Sequence, residues 1–173
     1  MQISIKSIEP HKLKTAKFYI LNKMGMDLIY IKFDEEITDS IYFYEDGQIL
    51  DEVIALGFPK IAGFHNFLTA EKALVSSRFT ATKGSVAAIA EDIWIRENLL
   101  LITAKIKGGN SGGPIINDRG NVIGIATSLP AGEGAYDELG YGTIIPIEFA
   151  NKIIDNPNTE FDVSNIEFKV FTE

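Results

Sequence analysis

Cysteine is absent from all 173 residues. That excludes disulfides, thiolate metal sites and thiol nucleophiles. Histidine is scarce: only His11 and His65 occur, so few imidazoles are at hand for proton transfer near neutral pH. No apolar run reaches the roughly 18 residues that a membrane-spanning helix needs. Neither GxxxxGK[ST] nor a GxGxxG between a strand and a helix is present, so no phosphate cradle is expected. Basic residues are the minority, 16 Lys and Arg against 24 Asp and Glu, for a net charge of −8. This argues against nucleic acid and against an anionic membrane surface as partners. Nothing calls for a cofactor or a metal ion.

What is present reads as a folded, strand-rich chain. Hydrophobic residues make up 46% and charged residues 23%, the balance of a globular domain. Period-2 alternation or short apolar runs mark strands at 2–8, 16–21, 27–33 and 52–58. Residues 60–74 read as a loop with a helical turn at TAEKAL. Residues 75–90 read as one long strand or a hairpin, with Gly84 as bulge or turn. Further strands follow at 93–106, on both sides of the NDRG turn at 117–120, and at 140–147. IEFANKIID, 147–155, has helical spacing and stops before Asn156-Pro157. The tail at 158–173 reads as a strand or an arm. Many short strands separated by turn signals imply an all-β barrel or sandwich.

The chemistry concentrates in IKGGNSGGPIINDRGNVIGIAT, 106–127. Glycines on both sides of Ser111 could merely supply positive φ in a turn. They also meet the needs of a serine nucleophile: an exposed Oγ, and backbone N–H groups aimed at a developing oxyanion. GNSGGP, followed by a hairpin and VIGIAT, resembles the nucleophile segment of trypsin/chymotrypsin-like serine proteases. It is most similar to their cysteine-free bacterial branch, which includes the HtrA-type proteases. DLIYIKF resembles the segment with the family's catalytic aspartate, and EVIALGFP the first strand of its second barrel. GYGTIIPI and IEFANKIID resemble its last strand and closing helix. The resemblance covers residues from about 14 to 155 and leaves out the tail.

The resemblance implies a double β-barrel in which Ser111 attacks, Asp27 orients the base, and the Gly109–Asn110–Ser111 backbone forms the oxyanion hole. Gly109 and Ser111 would be its N–H donors. It also implies a pocket for the side chain before the scissile bond, with Lys105 at its base. Thr127, Ser128, Leu129, Gly140, Tyr141 and Gly142 would form its walls. A Lys105 pointing inward would favour acidic side chains; alternatively its ammonium snorkels to solvent.

The base is missing. The family carries its histidine in a Thr-Ala-Ala-His-like segment ahead of the aspartate, and neither His11 nor His65 stands in one. Only three strands are read before residue 34, where a full first barrel needs six. The expectation is therefore a shortened family member. Residues 1–48 would be a remnant of the first barrel with Asp27, 49–155 a second barrel with Ser111 and the closing helix, and 156–173 a tail. A half barrel leaves open edges, so tail strands, a second copy of the chain or another partner should cover it. The expected function is serine endopeptidase action on peptides or proteins, with an inactive peptide- or partner-binding domain as the rival. The N-terminus is not a signal peptide, which gives the expectation of a cytoplasmic protein.

Overall fold

The computed structural model describes residues 2–4, 12, 15–20, 28–35, 44–59, 79–92, 96–127, 140–149, 160–161 and 167–169. In chain order the strands are β1 (Gln2–Ser4), β2 (Lys17–Ile20), β3 (Ile29–Lys32), β4 (Glu52–Gly57), β5 (Thr80–Asp92) and β6 (Glu97–Ile102). They continue as β7 (Pro114–Asn117), β8 (Val122–Thr127), β9 (Gly142–Pro146), β10 (Glu160–Phe161) and β11 (Glu167–Lys169). The fold is all-β. The expected loop at 60–74 and most of the expected helix lie outside the described residues. A helical segment does begin at 147–149, where β9 ends.

Six strands close into a barrel in the order β4-β5-β6-β9-β8-β7, with every neighbouring pair antiparallel. Closure leaves no open edge, so each strand's backbone groups are paired on both sides. The alternation of β4 does what a barrel strand requires. Val53 and Ala55 point inward at 0% and 1% exposure, while Glu52 points out. Ile102, Ile115, Ile123 and Ile144 meet them in the interior. These branched side chains suit a pleated, buried surface.

Gly84 is neither turn nor bulge. β5 runs straight through it, opposite Val53, and the register shift falls between Val86 and Ala88. The physical reason is proximity: a Cβ on Gly84 would overlap the backbone of Ala104. The NDRG turn forms as expected. Asn117 Oδ1 accepts from the N–H groups of Arg119 and Asn121, and Gly120 takes a φ of 81°.

In front of the barrel, β10, β2 and β3 form a three-stranded sheet, and β1 pairs in parallel with β11. The tail thus adds strands to the N-terminal ones. Tyr19 and Tyr30, opposite each other on β2 and β3, stack at 5.8 Å, a favoured cross-strand aromatic pair. Leu28 and Tyr30 pack on a cluster of Leu99, Ile145 and Phe149, which seats β3 against the barrel. Among the described residues no helix is long and apolar enough to cross a membrane.

Candidate active site

Ser111 lies in the connection between β6 and β7, and its residue is exposed. Short hydrogen bonds shape this loop. The Asn110 N–H donates to the Lys107 carbonyl at 2.9 Å, and the Gly113 N–H donates to the Asn110 carbonyl at 2.8 Å. A second pair ties the loop to β8: Gly112 N–H to the Ala126 carbonyl, and Ala126 N–H to the Gly113 carbonyl, at 2.8 and 2.9 Å. The tight course needs positive φ at Gly109, 102°, and at Gly112, 83°, values that a side chain disfavours. Gly113 has a different reason: a Cβ there would overlap the Leu56 carbonyl on β4.

Between those glycines Asn110 is buried, 2% exposed. Its N–H is committed to Lys107, so its part in the loop is structural and differs from that of an anion donor. Sequence reasoning saw the glycines around Ser111 but not the buried amide beside it. The only visible signal was an asparagine among glycines, which reads as a turn residue.

Of the expected pocket residues, Lys105, Thr127, Gly140, Tyr141 and Gly142 are among the described residues. Thr127 is buried at the end of β8, directly after Ala126, and pairs with Thr143 on β9. Gly142 opens β9, where a Cβ would come 2.7 Å from the Ile106 side chain and 3.2 Å from the Ala104 carbonyl. The 104–106 segment therefore lies against the start of β9. Lys105 is exposed, and its carbonyl accepts from Thr82 Oγ1 at 2.8 Å. Gly140 is exposed with a φ of 78°, and Tyr141 is half-buried. Asp27, Ser128, Leu129, His11 and His65 lie outside the described residues. Among the described residues no three His, Cys, Asp or Glu side chains gather to hold a metal ion.

A second polar cluster joins the chain ahead of the barrel to the hairpin after Ser111. Glu45 Oε2 accepts from Asn117 Nδ2 at 2.9 Å and from Asn121 Nδ2 at 3.0 Å, while its other oxygen pairs with Arg119. The hydrogen bond from Asn121 is the main cause holding the Glu45 carboxyl below its usual range; Asn117 and the Arg119 charge add to it, against an opposing desolvation. Sequence reasoning missed this cluster, because its partners are 72 and 76 residues apart.

A model of the trypsin-like peptidase domain matches residues 15–125. A DegP-like periplasmic serine endoprotease of Rickettsia conorii is 33% identical over 168 residues, 94% of this chain and 30% of that protein. Its counterpart in Chlamydia trachomatis is 32% identical over 134 residues, 75% of this chain and 24% of that protein. The magnetosome formation protease MamE of Paramagnetospirillum magneticum is 31% identical over 120 residues, 68% of this chain and 15% of that protein. The chain thus spans less than a third of the length of these relatives. The solved structure of the HtrA-type protease AlgW with a decapeptide superposes with a TM-score of 0.55 at 24% identity, covering 76% of this chain and 37% of that one. That likeness concerns the fold, a trypsin-like β-barrel. The periplasmic relatives overturn the expectation of a cytoplasmic protein. A domain's core and surface carry no compartment address, and the first residues of a chain matching only part of its relatives are no guide to export.

Proposed function

The chain belongs to the trypsin-like peptidase family, HtrA-type, and from that premise we propose that it is a serine endopeptidase acting through Ser111. The observation that carries this reading is the Ser111 loop: an exposed serine, flanked by positive-φ glycines and sewn to the barrel at Gly112 and Gly113. A pure binding loop has no chemical need for that serine.

In the proposed reaction Ser111 Oγ attacks the scissile carbonyl carbon while its proton passes to an imidazole. The carbonyl π pair moves onto oxygen, and the N–H groups of Gly109 and Ser111 hold that oxyanion. Collapse breaks the C–N bond. The imidazolium returns its proton to the leaving amine, and an ester remains on Ser111. Water, deprotonated by the same imidazole, then attacks the ester carbon; the C–Oγ bond breaks, the imidazolium returns the proton to Ser111 Oγ, and the acid product leaves. Asp27 would orient the imidazole, a role supported by its chain neighbour Leu28, which packs against the barrel. We assign the base to a histidine outside residues 1–173, since neither His11 nor His65 stands in the family's segment. Lys105, Thr127, Ser128, Leu129, Gly140, Tyr141 and Gly142 would receive the side chain before the scissile bond. The lobes would be 1–48 and 49–155, with 156–173 as the added tail.

A second reading, peptide binding without cleavage, is favoured by the position of the two histidines. Chemical rescue separates the readings. Free imidazole should make the chain cleave an unfolded protein substrate, and Ser111→Ala should lower that rate by roughly a thousandfold or more. Binding of the same substrate with no imidazole-dependent cleavage would establish the second reading.

A further inference from the structure

Asn110 carries more than a turn. Its side-chain Oδ1 is buried and makes no hydrogen bond. Buried polar atoms are nearly always paired, and an exception in a folded protein calls for an explanation. An apolar residue of similar size would avoid the desolvation of that oxygen. The amide lies over Gly57, the last residue of β4. A Cβ at Gly57 would come 3.0 Å from Asn110 Oδ1, 3.1 Å from Cγ and 3.2 Å from Cα. The preceding residue of the same strand comes closer still: a Cβ on Gly113 would overlap the Leu56 carbonyl. Two residues of β4 thus form a floor for both ends of the Ser111 turn: Gly57 under the Asn110 amide, and the Leu56 carbonyl under the bare Cα of Gly113.

We propose that Asn110 is a positioning residue for the serine chemistry: its flat amide, wedged over the bare Cα of Gly57, sets the height and pitch of the loop that presents Ser111. The inference rests on the endopeptidase reading of Ser111 and deepens it. A planar amide fits a slit that a branched, tetrahedral side-chain end would force open. The unpaired oxygen is tolerated because the shape is what the loop needs. Gly57 then owes its identity to Asn110, and its position in LGFP, at a strand end before Pro59, hides this from sequence reading.

Two variants in the full chain test it. In Gly57→Ala, amide exchange at Gly112 and Gly113 should accelerate at least tenfold, while amides in the middle of β4 and β7 change less than twofold. In Asn110→Asp the side chain keeps its shape but gains a buried, unpaired carboxylate at high pH. With imidazole present, its rate of Ser111 modification by a fluorophosphonate, relative to the unaltered chain, should be near one at pH 5.5. The ratio should fall at least tenfold by pH 8.5. A residue whose seating does not bear on Ser111 would show no such pH dependence in this ratio. Unchanged exchange in Gly57→Ala, or acceleration spread evenly over the barrel, would overturn the proposal. So would a ratio for Asn110→Asp that stays flat with pH. The exchange measurement needs no activity. If the unaltered chain is never modified while the exchange pattern appears, the peptidase reading fails and the seat stands. If modification occurs and both variants match the unaltered chain, the seat fails alone.

Discussion

Gly112 and Gly113 are adjacent, yet they are glycine for different reasons, and substitution should tell them apart. Gly112 has open space around a Cβ and a φ of 83°, so Gly112→Ala should cost about 1–2 kcal/mol of backbone strain. At Gly113 the obstacle is the Leu56 carbonyl, part of a strand that cannot move aside. Gly113→Ala should cost about 3 kcal/mol, the upper end for overpacking. Urea unfolding followed by tryptophan fluorescence measures both; equal losses would contradict the distinction. Leu50 supplies the opposite case. It has a φ of 76° and is 80% exposed, at a turn where Asp51 caps Gln48. Asparagine tolerates that conformation better, so Leu50→Asn should raise stability by about 0.5–1 kcal/mol, read as a higher Tm.

Glu45 acts at the scale of elements, because it joins the 44–48 segment to the β7–β8 turn. The Glu45 N–H also donates to the Val122 carbonyl at 3.0 Å, so the backbone reinforces the clasp. The folded carboxyl titrates below its ordinary 4.5. A lowered folded value means that the clasp's contribution is complete above 4.5 and is lost as pH falls through the lower value. Melting temperatures should therefore decline less steeply below pH 4.5 in Glu45→Gln than in the unaltered chain; identical slopes would contradict the clasp. Its members show how far sequence reading reaches. β4 and β8 were legible because one inward face imposes alternation or an apolar run, and NDRG because turn chemistry is local. The Ser111 loop was legible because its glycines and serine are contiguous. Glu45 with Asn117, Asn110 over Gly57, and Gly84 against Ala104 are contacts between residues far apart in the sequence, and no local pattern encodes them. At Gly84 that made a straight strand resemble a turn.

Over the whole molecule, a closed barrel carries the loop while a smaller front sheet borrows strands from the tail. The barrel has no open edge; β2 and β1 would have them without β10 and β11. Deleting residues 158–173 should leave amide protection in β4, β7 and β9 unchanged, lower it in β2 on the edge that β10 covers, and promote self-association through the exposed edges. A uniform loss across the barrel would show instead that the tail supports the entire fold. The proposed activity would follow the same hierarchy: the barrel holds the loop, the loop would present the serine, and the reaction would draw its imidazole from elsewhere. The most direct measurement of that account is mass spectrometry of the chain treated with a fluorophosphonate in the presence of imidazole. The account predicts a single adduct, mapped to Ser111, that requires imidazole and is absent in Ser111→Ala. An intact Ser111 at every imidazole concentration, or an adduct that survives Ser111→Ala, would contradict it.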